Sequence, residues 1–468
     1  MHTGAPVQSA ASRAGVTVVL TPPPTPNGPL HIGHLSGPYV ASDVAIRAAR
    51  ARGEQVLSVC GLDVNQNYVL AKAEQEGRPA GEVMAEYGHR IRSALELAGV
   101  CYDVFLDPQA DADYRDAVAG LLAELVESKA AVVRDVPWAV CSDCGRGLHH
   151  ARVAGRCRVC GQGAAGGACE GCGTYAAAVD LLDAACTVCG GPPRVVDTPL
   201  PVLRMEDYRE QLTEAWARAQ LPARVRQLIT RLLVDGLPEV PLAYVTDWGI
   251  PTAAGAAERL DVWVETALGH LYAVPRRLGT ADRGGGLASC VAGWARVDRL
   301  WHFLGIDNAF YYGVLTPAIF AAAGVPTGVL GGLVVNEFYR LSGLKFSTSR
   351  QHAVWAEDFL ADEEPALVRL YLCWDRPSGF ESDFTPDGYR AFRDWVAPVL
   401  AGEAPGPLPP GVAELEISRA EQALRLETFD PATAARCLLA AVGAGPGAPV
   451  ADRARDLLGA LTGTTRPA

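Results

Sequence analysis

The chain has 468 residues, 49% hydrophobic and 20% charged, with a formal net charge of −12. That length supports about two to four domains and a large core. The acidic balance argues against a general nucleic-acid binder, and no apolar run approaches the ~20 residues that a bilayer span needs. Residues 1–15 carry no apolar signal core and read as a loose polar tail, so the protein is expected to be cytoplasmic and off the membrane. Composition says nothing of its oligomeric state.

Strand and helix alternate from Val16 to about Leu106. "VTVVL" (Val16–Leu20) and "QVLSVCG" (Gln55–Gly61) are β-rich and flank a helix of suitable length, a βαβ unit with a parallel sheet. Between them runs "TPPPTPNGPLHIGHLSG" (Thr21–Gly37), from a strand end through prolines to His31 and His34 at a helix start. Such a turn aims helix N–H groups at the carboxyl edge of the sheet, where anions bind. Two imidazoles there could donate hydrogen bonds to a phosphate. A lone histidine pair at a helix start is more often a cap or a surface pair. Further helices are expected at Tyr68–Glu76 and Ala80–Ala98.

Residues 107–245 interrupt this pattern. A helix over Tyr114–Ser128 leads into "VVRDVPWAVCSDCG" and then a Gly- and Cys-rich stretch with little apolar periodicity, an inserted module held by metal rather than by a core. Eight of the thirteen cysteines form CxxC pairs: Cys141/Cys144, Cys157/Cys160, Cys169/Cys172 and Cys186/Cys189. Two such pairs make one tetrahedral thiolate site, so four pairs imply two structural Zn²⁺ ions. Nesting suggests that the inner pairs share one ion and the outer pairs the other, although spacing alone leaves the pairing open. The remaining cysteines (Cys60, Cys101, Cys290, Cys373, Cys437) are scattered and read as core.

The α/β pattern resumes over residues 246–350 with "DVWVETALGH" (Asp261–His270), "WHFLGID" (Trp301–Asp307), a helix near Thr316–Ala323 and "GLKFSTSR" (Gly343–Arg350). Residues 351–468 are mostly helical in pattern and are split by the Pro/Gly linker "AGEAPGPLPPG" (Ala401–Gly411). They carry 18 acidic against 10 basic residues, a net of −8, which is poor for docking a polyanion.

Taken in order, these strings carry a resemblance. "PNGPLHIGH" resembles the HIGH signature of class I aminoacyl-tRNA synthetases, and its wording resembles the methionyl branch. "CGLD" (Cys60–Asp63), "TDWGIP" (Thr246–Pro251), "DVWVETALGH", "WHFLGID" and "LKFSTS" resemble that branch's later motifs, the last being a variant KMSKS loop. The resemblance spans about residues 16–395. It implies a Rossmann-like, HUP-type parallel catalytic domain (16–106 and 246–350), a connective insert with zinc knuckles, and a stem-contact region with a short helical bundle (351–468). "EISRAEQALRLETFDPATAARCLLAAV" (Glu416–Val442) resembles the bundle's early helices, and its later anticodon-reading helices are not recognisable.

By the same resemblance the chain would join an amino acid to ATP (with Mg²⁺) as an aminoacyl adenylate. His31 and His34 would hold the phosphates. Lys345, Ser347 and Ser349 would lie on the mobile loop that closes over pyrophosphate. Thr348 stands where many relatives have a second lysine. Asn27, Gly33 and Gly305 would contact ATP, Gly33 lying under the adenine, and Asp307 would bind the ribose. Asp63 would pair with the substrate ammonium.

The amino-acid pocket departs from the methionyl pattern. Trp263 stays, but Thr25 replaces a Tyr, Thr266 an Ala, His270 a Tyr, Asn308 an Ile and Tyr312 a His. Unpartnered polar groups in a buried pocket cost about 1–3 kcal/mol each. A substrate other than methionine is therefore expected. The expected acceptor is a small-molecule amine, hydroxylamine or hydroxyl, as in the methionyl-like domains of natural-product hydrazine synthetases, which this design resembles and which work with a cupin domain. A separate cupin partner would then be needed. The alternative is a methionyl-like aminoacyl-tRNA ligase.

Overall fold

In the computed structural model, residues 15–252, 258–281, 284–346, 352–401, 403, 408–442 and 449–464 are described. The central sheet has five parallel strands, in the spatial order Leu330–Asn336, Val297–Gly305, Val16–Leu20, Val56–Gly61 and Val104–Leu106. The strands are near-continuous apolar runs because helices cover both faces. The order reverses between Val16–Leu20 and Val297–Gly305. At such a switch point the loops diverge and leave a crevice at the carboxyl ends of the strands.

The segment after the first strand is fixed by its prolines. They carry no N–H to leave unpaired, while their carbonyls accept: Pro24 from the Asp63 N–H (3.1 Å) and Pro22 from the Tyr39 hydroxyl (3.1 Å). A π-turn over Leu35–Tyr39, holding Gly37 and Pro38, joins the histidine turn to the helix Val40–Ala51. A Cβ on Gly37 would come within 2.9 Å of the Asn336 side chain, so the turn packs on the end of the outermost strand. The expected helices are found at Tyr68–Glu76, Ala80–Leu97 and Ala112–Glu127.

The insert is built on a long antiparallel ribbon, Val132–Cys141 against Pro193–Arg204, with Glu239–Pro241 as a third strand. Its fold is not carried by metal-ligand residues alone. Leu148, Val153, Ala178 and Leu181 pack with Cys141 and Cys186 in a small apolar cluster. The helices Ala112–Glu127, Arg209–Arg218 and Ala223–Asp235 pack instead into the main apolar core beside Leu268 and Phe310.

Toward the C-terminus the helices Pro410–Ala423, Pro431–Val442 and Pro449–Thr462 pack together and against Pro365–Trp374. Arg369 anchors them. It pairs with Asp43 at 2.6 Å and donates to the carbonyls of Ala98 and Leu461, all in the interior. Breaking one side of such a buried pair costs about 3–5 kcal/mol. Among the described residues no helix is long and apolar enough to cross a membrane.

Candidate active site

A cavity of about 590 Å³ opens at the switch point. Its walls include Thr25, Asn27, His34, Asp63, Trp263, Asp307 and Asn308, so one crevice gathers candidates that lie up to 283 positions apart in sequence. The insert closes the far side with His150, Gly166, Ala168 and Glu170.

His31 and His34 cap each other. The His34 N–H donates to His31 Nδ1 (3.3 Å) and the His31 N–H to His34 Nδ1 (3.1 Å), a reciprocal capping box. Capping and phosphate binding are therefore compatible. With each Nδ1 accepting, the ring proton of each imidazole sits on Nε2. The rings stack at 3.7 Å, and burial draws His34 down to about 4 and His31 well below its ordinary value. Both are neutral near pH 7 and present Nε2–H donors. Gly33 is needed for this packing: a Cβ there would lie 3.0 Å from His31 Nδ1 and 3.3 Å from the Phe346 ring.

Asp63 and Asp307 fall just past strand ends, and Glu265 lies in the first turn of the helix Val262–Arg277. Thr25 Oγ1 donates to Asp63 Oδ2 (3.0 Å), and burial pushes Asp63 up to about 7. Burial likewise raises Asp307 to about 6 and Glu265 to about 8, the latter held by two hydrogen bonds from Asn65. Gly305 lets Asp307 fold back, since a Cβ there would sit 2.4 Å from Asp307 Oδ1. Burial makes Asp63 costly to ionise, and a substrate ammonium beside it would favour its charged form.

Other candidates are placed differently from the sequence expectation. The Thr266 hydroxyl donates to the Val262 carbonyl within its own helix (2.8 Å), so its proton is already used. His270 and Tyr312 do not line the open cavity. They are buried behind Trp263, which meets Tyr312 edge-on at 6.2 Å and stacks on Tyr311 at 3.8 Å. His270 Nδ1 and the Tyr312 hydroxyl have no hydrogen-bond partner, and neither has either ring nitrogen of neighbouring His302. Lys345 is exposed and paired with Glu170, which lines the cavity. Ser347 and Ser349 lie outside the described residues.

Residues absent from the sequence reading line the cavity (His150, Glu170, Tyr311) or are buried outside its lining (Asp261, Glu265, His302). The "HH" doublet at 149–150 was the one visible signal for His150. Asn67 seats that turn by donating to the His149 carbonyl (2.9 Å) and accepting from the Ala151 N–H (3.0 Å). The Tyr311 hydroxyl accepts from the Ala168 N–H (2.8 Å), which pins the inner knuckle to the catalytic core.

The cysteines gather as Cys141, Cys144, Cys186 and Cys189, and as Cys157, Cys160, Cys169 and Cys172, outer with outer and inner with inner. Within each set the ligand atoms lie within 4.8 Å of one another, and the closest Sγ pairs are separated by 3.4–3.9 Å. That is too long for a disulfide (about 2.05 Å) and close to the ~3.8 Å edge of a tetrahedron with Zn–S near 2.3 Å. Each CxxC is followed by a glycine, and Gly145, Gly161, Gly173 and Gly190 all adopt φ of 71–75°, the tight turn that folds both thiols toward one point. Val159 and Val188 donate N–H groups to Cys157 and Cys186 Sγ at 3.4 Å. Both sets fit a structural zinc ion.

Comparison with known proteins agrees with this geometry. A methionine–tRNA ligase of Methanobrevibacter smithii is 29% identical over 393 residues, covering 81% of this chain and 56% of its own length. One of Thermococcus kodakarensis is 30% identical over 386 residues, covering 78% and 51%. The chain thus spans about half the length of these curated relatives. The structure of Mycobacterium tuberculosis methionyl-tRNA synthetase in complex with methionyl-adenylate matches with a TM-score of 0.68 at 16% identity, covering 96% of this chain and 89% of that one, which speaks to the fold. The family of class I tRNA synthetases (M) matches residues 17–392, and the chain belongs to that family.

Proposed function

We propose that the chain activates an amino acid with ATP, forming an aminoacyl adenylate and pyrophosphate. The carrying observation is one cavity lined by His34 at a helix start, with His31 stacked on it, and by the carboxyl groups of Asp63 and Asp307. His34 and His31 would stabilise charge at the α-phosphate, Asp307 would bind ribose hydroxyls, and Lys345 would meet pyrophosphate once it leaves Glu170. Mg²⁺ would arrive on the ATP phosphates, where it neutralises charge. Two zinc ions would fix the insert.

The proposed amino acid is not methionine. Thr25 and Asn308 line the cavity with polar groups, and behind Trp263 the buried His270 and Tyr312 hold unpartnered polar atoms that a thioether, a weak acceptor, would not satisfy. The proposed acceptor is a small amine, hydroxylamine or hydroxyl. The acidic balance of residues 351–468, 18 acidic against 10 basic, supports a small acceptor over a docked polyanion. The second reading is an aminoacyl-tRNA ligase, which the names of the relatives favour.

Amino-acid-dependent ATP–pyrophosphate exchange, run over an amino-acid panel without tRNA, tests the proposal. Exchange with a hydrogen-bonding amino acid supports it. Methionine as best substrate overturns the pocket reading and favours the second one.

A further inference from the structure

His150 enters the cavity from the insert, and nothing in the activation chemistry uses it. It is 6% exposed, and its Nε2 is buried without a hydrogen-bond partner. Its φ is +46°, a left-handed backbone that non-glycine residues adopt at a cost and mostly at functional sites. Asn67 holds that turn from both sides through the His149 carbonyl and the Ala151 N–H, so the strained residue is fixed in place.

The groups facing the ring are few. Asp261 Oδ2 lies 3.7 Å from Nε2, while Asp261 Oδ1 is occupied capping the next helix through the N–H groups of Trp263 and Val264. Asp63 is close enough for His150 to act on its carboxyl electrostatically. The Tyr244 and His149 rings flank it at 5.5 and 5.7 Å. Asp261 Oδ2 makes no hydrogen bond to Nε2 at 3.7 Å, but its charge favours the ring proton on that side, which leaves the lone pair on Nδ1. Asp63, which would hold the α-ammonium, and His150 line the same cavity, so a substrate held on Asp63 shares that cavity with the His150 ring.

Resting on the adenylation reading, we infer that His150 is the general base of the second half-reaction, with Asp261 as its positioning residue. The acceptor is a small amine. Its nitrogen attacks the adenylate carbonyl carbon and a C–N bond forms. The bond from that carbon to the phosphate oxygen breaks, and AMP leaves with the electron pair. The proton shed by the nitrogen passes to His150 Nδ1 and then to water. In sum, aminoacyl-AMP and amine give amide, AMP and one proton.

The test separates the half-reactions. His150→Asn keeps a side chain that tolerates the left-handed backbone and removes the base. Asp261→Asn keeps the capping oxygen and removes the charge. The enzyme–adenylate complex is formed with the best amino acid from the exchange panel, freed of ATP, and mixed with ethylenediamine. Amide and AMP are then followed by rapid quench. Pyrophosphate exchange is expected to stay within about threefold of wild type in both variants. Amide formation is expected to fall at least about 10²-fold in His150→Asn, the lower end of a general base's contribution, and to recover partly with added imidazole, which leaves wild type unchanged. Amide formation within a few-fold of wild type in His150→Asn overturns the assignment. If ethylenediamine does not discharge the wild-type adenylate faster than water does, unfractionated tRNA replaces it. Discharge by tRNA overturns the amine acceptor, and an equal tRNA rate in His150→Asn overturns the base. With exchange intact, no discharge by either acceptor overturns the transfer role; no exchange in the wild type overturns instead the adenylation reading on which it rests.

Discussion

The Lys345 ammonium lies 2.7 Å from the Glu170 carboxylate, so the loop lysine is held by a residue between Cys169 and Cys172 of the inner knuckle. Lys345 also sits 4.3 Å from the centre of the Phe338 ring. Both partners of the ion pair are exposed, and such a pair contributes at most about 1 kcal/mol. Releasing it is therefore cheap. Glu170→Gln should lower the KM for ATP up to about fivefold, with the gain shrinking as salt rises. Lys345→Ala should instead slow exchange. A loss of exchange in Glu170→Gln would mean that the carboxylate belongs to the working site.

Asp63 sets a pH dependence whose sign follows from burial. Its free-site value is raised to about 7, and an ammonium partner lowers it. Amino-acid binding needs the ionised carboxylate, so protons compete below pH 7. The KM for the amino acid should rise toward tenfold per pH unit as pH falls from 7, and be flat above about 8. Asp63→Asn should bind weakly and without that slope. The same raised value means that the charged, buried Asp63 costs the folded state most above pH 7 and least below about 4. Asp63→Asn should therefore raise thermal stability more at pH 8 than at pH 5, as melting curves of the substrate-free protein would measure.

His34→Gln should reduce exchange by about 10²-fold or more, because it removes an imidazole donor from the phosphate position. It also breaks a reciprocal cap, so a stability loss of about 1 kcal/mol should accompany it. Cys157→Ser should lower bound zinc from two ions per chain to one, read by metal analysis, and loosen the inner knuckle. Exchange should then fall too, because the Ala168–Tyr311 hydrogen bond passes that disorder to the ring stacked on Trp263. An unchanged zinc count would show that Cys157 is not a ligand.

How far these residues could be read beforehand depends on the range of the forces that place them. The turn after Leu20, the neighbouring helices and the CxxC turns are set by local spacing, and the structure places them where the spacing predicts. The nested order of the pairs anticipated the two cysteine sets. Contacts set by tertiary packing were hidden. His150 meets Asp261 across 111 positions, and Glu170 meets Lys345 across 175. The helices at Arg209–Arg218 and Ala223–Asp235 read as part of an insert but bury their apolar faces in the main apolar core. Thr266 looked like a pocket donor because sequence cannot reveal that its hydroxyl turns back onto Val262.

Tyr312 yields the sharpest test of substrate chemistry, because stability and activity should move in opposite directions. Its hydroxyl is buried, has no hydrogen-bond partner, and lies in a ring cluster with Trp263 and His302. An unsatisfied buried hydroxyl costs the free protein about 1–3 kcal/mol, whereas phenylalanine keeps the ring and removes the cost. Tyr312→Phe should therefore stabilise the substrate-free protein by about 1 kcal/mol. If a polar substrate side chain meets that hydroxyl, the variant should lose about 10- to 100-fold in kcat/KM for that amino acid, the equivalent of one hydrogen bond in a dry site. Methionine, which cannot repay the hydroxyl's desolvation, should be activated as well or better. Equal losses for polar and apolar amino acids would point to a role in holding Trp263 instead. An unchanged kcat/KM for every amino acid would remove Tyr312 from the specificity pocket.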